Sequence, residues 1–231
     1  MVNLDSDDWF ARRGRLASLV TSGEEHNADM VAGDLYLMED DKDYAWTTML
    51  FEKELRFEKP KWVDLLTFVQ QDLGPIKLLI RVDFVRRHAL RYNENLRSFE
   101  DWPFYVECLL RGARLILTPQ PGYAYRMRPG SLSRSGLQVY NQMEANYRRY
   151  LEDDRLKAYP EVLAVLQTQL ARVRENRRYY RVMAPLKEWK LSRALVELAH
   201  TPDFFWLFVR RVPRIVNYRV KRRLVRLDLP R

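Results

Sequence analysis

MVNLDSDDW, residues 1 to 9, reads as the end of a buried strand that runs into a cluster of carboxylates. Apolar Val2 and Leu4 lead directly to Asp5, Asp7 and Asp8. Oxygen ligands at the carboxyl end of a strand suit a hard divalent cation, Mg²⁺ or Mn²⁺, and a cation there can hold the diphosphate of a nucleotide. Asp5 and Asp7 lie two apart and share a face on a continuing strand. The same residues also suit the mouth of a helix, with Asp8 as its cap and an acidic first turn. A strand that opens in this way has the character of the middle of a fold.

Working outward, strands and helices alternate. Phe10, Leu16, Leu19 and Val20 recur at near-helical spacing. ADMVAGDLYLM, residues 28 to 38, reads as a strand in which Gly33 marks a bulge or a close approach. EDDKD, 39 to 43, is a polar turn, and the apolar run from Val63 to Val69 is helical. After Gly74-Pro75, IKLLIR (76 to 81) is a strand and Val82 to Leu90 a short helix. Tyr92 to Phe99 is a loop, and Glu100-Asp101 opens a helix that Gly112 closes. RLILT (114 to 118) is a strand, PQPGYAYRMR (119 to 128) a turn and short strand, and PGSLSRSG (129 to 136) a loop. From about Gln138 the pattern is helical, broken by Pro160, Pro185, Pro202 and Pro213. This order predicts an α/β layer fold over residues 1 to 136 and a helical extension over 137 to 231.

Composition narrows the chemistry. The chain has 231 residues, 47% of them hydrophobic, so it can bury a core. A single cysteine, Cys108, excludes an internal disulfide and a cysteine zinc cluster. His26, His88 and His200 are scattered, and no GxSxG, Walker or GxGxxG pattern occurs. The net charge is +9, but residues 1 to 60 hold 7 Lys/Arg against 14 Asp/Glu while 201 to 231 hold 9 against 2. An acidic front argues against a general polyanion binder, so nucleic acid is not expected as a partner.

Two further groups carry chemistry. In Ser98-Phe99-Glu100-Asp101-Trp102-Pro103, adjacent carboxylates at a helix mouth can supply a general base; the same residues also fit a capping box from Ser98 to Asp101 with Pro103 in the first turn. In Tyr123-Ala124-Tyr125-Arg126, with Arg128, Ser131 and Ser133 following, the arginines can meet phosphate oxygens, and equally suit a solvated strand end.

Taken in order, these elements resemble the family 2 glycosyltransferases of the GT-A fold. LDSDDWFARRGRLASLV is similar to that family's DxD strand and helix, of the form LDsDDw..p.rL..lv. GPIKLLIRVDFVRRHALRYNENLRSFEDWPFYVECLLRGARLILTPQPGYAYRMRPGSLSR is similar to its acceptor half, with a G..k.l.Rr.fl...gl.fde stretch, an ED dipeptide opening a helix, and a Y.YR.r.gSls end. The resemblance spans residues 1 to 136 and points to bacterial exopolysaccharide transferases, the succinoglycan type among them. It implies a GT-A (Rossmann-like) mixed sheet. It implies Asp7 with Asp5 as metal ligands for Mg²⁺ or Mn²⁺, Asp101 as catalytic base with Glu100 beside it, and Asp5, Trp102, Tyr125, Arg126, Arg128 and Ser131 at the substrates. Those substrates are a nucleotide-sugar donor and a saccharide or lipid-linked saccharide acceptor. The family's first strand, helix and second strand have no counterpart before Met1, so the resemblance is to an N-terminally truncated member whose sheet lacks its first strands. A catalytically inactive fragment serving as a membrane-associated interaction module is the rival expectation.

DFFWLFVRRVPRIVNYRVKRRLVRL, residues 203 to 227, sets Phe205, Phe208, Val212, Ile215, Val216, Val220, Leu224 and Leu227 near one another on a helical wheel, kinked at Pro213. With Trp206, Tyr218 and many basic residues, the segment suits an anionic membrane surface; a basic helix packed on the catalytic domain is the alternative. No spanning run is present. The expected location is cytoplasmic, peripheral on the inner face of the plasma membrane.

Overall fold

The computed structural model describes residues 1–2, 4–5, 7–73, 75–128 and 136–229, with only the backbone of residue 214. They fall into two compact units: Met1–Asn95, Glu100–Pro129 and Arg222–Arg231 in one, Leu96–Phe99 and Gly130–Lys221 in the other.

The first unit is a mixed sheet with helices. In chain order it holds β1 (Trp9–Phe10), α1 (Arg15–Glu25), β2 (Met30–Glu39), β3 (Ala45–Thr48), α2 (Met49–Glu52), β4 (Lys61–Val63), α3 (Leu65–Gln70), β5 (Leu79–Ile80), α4 (Val82–Arg87), α5 (Asp101–Leu110) and β6 (Leu115–Met127). β2 and β6 run parallel down the middle. β4 and β1 pair antiparallel along the other edge of β6, and β5 and β3 along the other edge of β2. MVAGDLYLME makes β2 because a strand paired on both edges and covered on both faces needs a near-continuous apolar run, and eight of its ten residues are buried. Beneath the helices, Phe68, Leu73, Ile76, Leu78, Trp102 and Tyr105 are almost fully buried.

Four expectations are corrected. Residues 1, 2 and 4 are not in a strand: Met1 exchanges backbone hydrogen bonds with Ile80, and the residues paired in the sheet are Trp9 and Phe10. PQPG makes no turn. The strand runs on through Pro119 and Pro121 to Met127, because the register shifts between Gly33 and Leu35 where the two prolines, lacking N–H donors, pass their neighbour. Asp8 does not cap α1, whose N-cap is Gly14 with no side-chain bond. Ser98 does not cap α5; its hydroxyl bonds Gln142 at 2.6 Å instead.

The second unit is helical: α6 (Leu137–Leu151), a 3₁₀ turn (Asp154–Ala158), α7 (Pro160–Lys187), α8 (Leu191–Ala199) and most of α9 (Phe204–Leu224). Tyr147 and Tyr150 of α6 and Val162, Leu166, Leu170 and Val173 of α7 are buried. Buried Glu144 gathers Arg148, Arg174 and Arg177 at 2.7 to 3.0 Å. Pro160 starts α7 and Pro202 separates α8 from α9, as expected. Pro185 and Pro213 lie inside helices instead of breaking them. After α9 the chain rejoins the first unit, where Leu227 pairs with Ala45.

Candidate functional site

Asp8 anchors the site. Its carboxylate is buried and accepts the Tyr123 hydroxyl and the Arg126 backbone N–H, each at 2.8 Å. Burial pushes its carboxyl above the usual range, against the pull of those two hydrogen bonds. The third acid of DSDD therefore acts as a clamp that fixes the DxD segment to the end of β6. The Tyr123 hydroxyl also takes the Asp5 backbone N–H at 3.3 Å, and Asp8 N–H bonds Asp5 C=O at 3.1 Å. That turn presents Asp5 and Asp7.

Each of these two acids meets a cation. Lys77 Nζ lies 3.0 Å from Asp5 Oδ2 and 3.2 Å from Asp101 Oδ2. Burial opposes the Lys77 charge, but the carboxylates of Asp101 and Asp5 outweigh it and hold the ammonium above its ordinary pKa. The two acidic motifs of the sequence thus converge on one lysine. Arg128 Nε lies 3.4 Å from Asp7 Oδ2 and 3.1 Å from Asp40 Oδ1. Arg126 donates to the Asp40 carbonyl at 2.5 Å and sits over the Trp9 ring. The acidic turn after β2 so joins the DxD segment through the two arginines of β6 and its end.

α5 carries the second motif. Phe99, with φ 62°, turns the chain into Glu100, the N-cap. Burial raises the Glu100 carboxyl above its ordinary range, with the Asp101 charge adding to it. Tyr92 stacks on Phe104 at 4.1 Å and its phenol stands beside Asp101. Burial and then that carboxylate hold the phenol well above its usual pKa.

The structure brings together Asp5 and Asp101 through Lys77, and Asp7 and Arg128 directly. Arg126 lies beside them and Tyr125 is half-buried on β6 opposite Leu37. Trp102 is placed elsewhere: it is 1% exposed and packs on Phe68 in the core, because α5 turns that face inward. Ser131 lies outside the described residues. Sequence reasoning gave no role to Lys77, Tyr92 or Asp40. The lysine of the G..k.l pattern was the available signal for the first.

Asp5 and Asp7 offer hard oxygens, but no group of three or more His, Cys, Asp or Glu converges among the described residues. The site fits a cation that completes its shell with ligand oxygens and water, as Mg²⁺ commonly does, and does not fit an all-protein cage.

No family model matches the chain. Over 143 residues it is 34% identical to the succinoglycan biosynthesis protein ExoU of Rhizobium meliloti (strain 1021), covering 57% of this chain and 40% of ExoU. It is also 28% identical over 137 residues to the succinoglycan biosynthesis protein ExoO of the same organism, covering 57% of this chain and 38% of ExoO. The chain thus spans about two fifths of the length of these relatives. The crystal structure of S. aureus TarS 1–349 in complex with UDP superposes with a TM-score of 0.50 at 16% identity, over 84% of this chain and 62% of that one. That likeness is one of fold, and the fold is GT-A: a mixed sheet with helices, followed by a helical C-terminal part.

Proposed function

We propose that this chain serves an inverting glycosyl transfer from a nucleotide-sugar to a saccharide acceptor, in the synthesis of a bacterial surface polysaccharide. The observation that carries the reading is the meeting of Asp5 and Asp101 on Lys77. It joins a diphosphate-side motif to a base at one place. The sequence likeness to two succinoglycan biosynthesis proteins and the UDP complex of a GT-A relative support the same reading.

Asp7, with Asp5, would hold Mg²⁺ or Mn²⁺. Such a cation, when bound, supplies Lewis-acid stabilisation of the departing diphosphate. Asp101 accepts the proton of the acceptor hydroxyl as that oxygen attacks the anomeric carbon from the face opposite the leaving group. Lys77 fixes the orientation of Asp101 and Asp5, and Tyr92 supports Asp101 from its other side. Glu100 orients the acceptor. Arg126 and Arg128 neutralise diphosphate oxygens, Arg128 exchanging its carboxylate partners for the ligand. Incubating the chain with labelled nucleotide-sugars, Mn²⁺ and a lipid-linked saccharide extract tests the reading. Labelled saccharide is expected; its absence for every donor would contradict it.

A lipid-linked acceptor gives a role to α8 and α9. Trp189, Leu195, Phe205, Trp206, Val216 and Leu224 are between 52% and 85% exposed, while Leu207 turns inward and Phe204 stacks on Tyr179. An exposed apolar and aromatic surface amid arginines suits the headgroup layer of an anionic leaflet, at the inner face of the plasma membrane. No helix of the described residues is long and apolar enough to cross a membrane.

A further inference from the structure

A second set of residues in the first unit, sharing none with the carboxylate site, surrounds a cavity of about 550 Å³. Arg12, Arg13, Arg15, Ser18, Thr21 and Ser22 line it, and Glu25 is the one acidic residue in the lining. Arg15 is the unusual member. It is 7% exposed, yet among the described residues its guanidinium has neither a hydrogen-bonded acceptor nor an ion-pair partner. Asp34, whose charge acts on it, is engaged by the backbone N–H groups of Leu35 and Leu50 at 2.8 Å.

A guanidinium held largely out of bulk water with no acceptor from the protein is costly, so the fold must hold Arg15 there by shape. Two glycines form the slot. A Cβ on Gly33 of β2 would lie 1.6 Å from Arg15 Nη2, and one on Gly122 of β6 would lie 2.3 Å from its Cδ. The side chain is threaded across the sheet at the bulge between these strands, with its charged end at the cavity. Burial, and then the neighbouring Arg12 charge, lower the guanidinium to about 10. A second unsatisfied group points the same way: Ser22 Oγ is buried with no partner among the described residues. α1 opens at the cavity on Gly14 with no side-chain cap, so its terminal N–H groups add positive potential.

We propose that this cavity binds an oxyanion, a phosphate or carboxylate carried by a small hydroxylated molecule. Arg15 takes the anion in bidentate fashion, Arg12 and Arg13 close over it from the exposed side, and Ser18, Thr21 and Ser22 meet its hydroxyls. Arg15 completes its hydrogen bonds only when the ligand is present.

Calorimetric titration of the full chain with inorganic phosphate, with glucuronate and with uncharged glucose tests this. Saturable millimolar binding of at least one anion and none of glucose is expected, and which anion binds identifies the group recognised. Arg15→Met, which keeps the stem between the glycines, is expected to weaken that binding at least about tenfold, and Arg15→Lys to weaken it less. In anion-free buffer Arg15→Met should melt no lower than the parent, since it removes a buried charge without a partner. No binding of either anion, equal binding by Arg15→Met, or a lower melting temperature of that variant without anion would each overturn the proposal.

Discussion

Asp5 and Asp101, far apart along the chain, share the ammonium of Lys77 at 3.0 and 3.2 Å. Lys77 has only 9% of its side chain exposed and Asp101 16%. Two carboxylates this close would repel one another without the cation between them.

Lys77→Met should therefore destabilise the first unit by about 3 kcal/mol at neutral pH, as expected when one member of a buried ion pair is removed. Because the folded state raises the Lys77 pKa, its contribution is complete below the ordinary lysine value of about 10.4 and is lost as pH rises beyond it. Urea melts at several pH values measure both effects.

The Asp8 clamp has a different signature. Asp8→Ala strands the Tyr123 hydroxyl and the Arg126 N–H, and should cost about 2–3 kcal/mol. Tyr123→Phe removes a single hydroxyl and should cost about 1 kcal/mol. Faster hydrogen exchange at Arg126 in the alanine variant alone would show that the clamp fixes the end of β6.

Acid should loosen the second unit through Glu144. Burial works against its charge, but hydrogen bonds from Arg174 and Arg148 and the charge of Arg177 hold its carboxyl below the usual range. A depressed acid stabilises above its unfolded pKa, near 4.3, and the stability is lost as pH falls through the folded value. Glu144→Gln should lower stability at pH 7 by about 2 kcal/mol and flatten the acid limb of the melting curve. Circular dichroism against pH reads this directly.

Membrane attachment is open to flotation with vesicles. Binding should require anionic lipid, weaken with salt, and fall when Phe205 and Trp206 are changed to Ser. Each basic residue removed from α9 should cost about 1 kcal/mol of binding. Equal flotation with neutral vesicles would contradict the role given to the helix.

The long elements were legible because pattern and burial agree. β2 carries a near-continuous apolar run interrupted by Asp34, Gly33 marked a true close approach, and the ED dipeptide does open α5. What the sequence hid is tertiary. Pro119 and Pro121 signal a turn, yet β6 runs through them because partners on both edges hold the strand and the bulge spares the missing donors. Val2 and Leu4 look like a strand, but the chain turns at Asp5 to present its carboxylates. Asp8 reads as a cap and the resemblance puts Trp102 at the substrates; the clamp to Tyr123 and the inward face of α5 decide otherwise. Lys77 sits in an apolar strand pattern, and no spacing rule tells that two distant acids will meet on it.

The account rests on Asp5 and Asp101 serving one reaction centre in separate roles. The most direct test is nucleotide-sugar transfer by Asp101→Asn, with donor affinity measured in the same preparation. Turnover should fall by about 10²–10⁴-fold, the contribution of a positioned general base, while the donor dissociation constant stays within about twofold, a difference well under 1 kcal/mol. Unchanged turnover, or a loss explained by donor affinity alone, would contradict it.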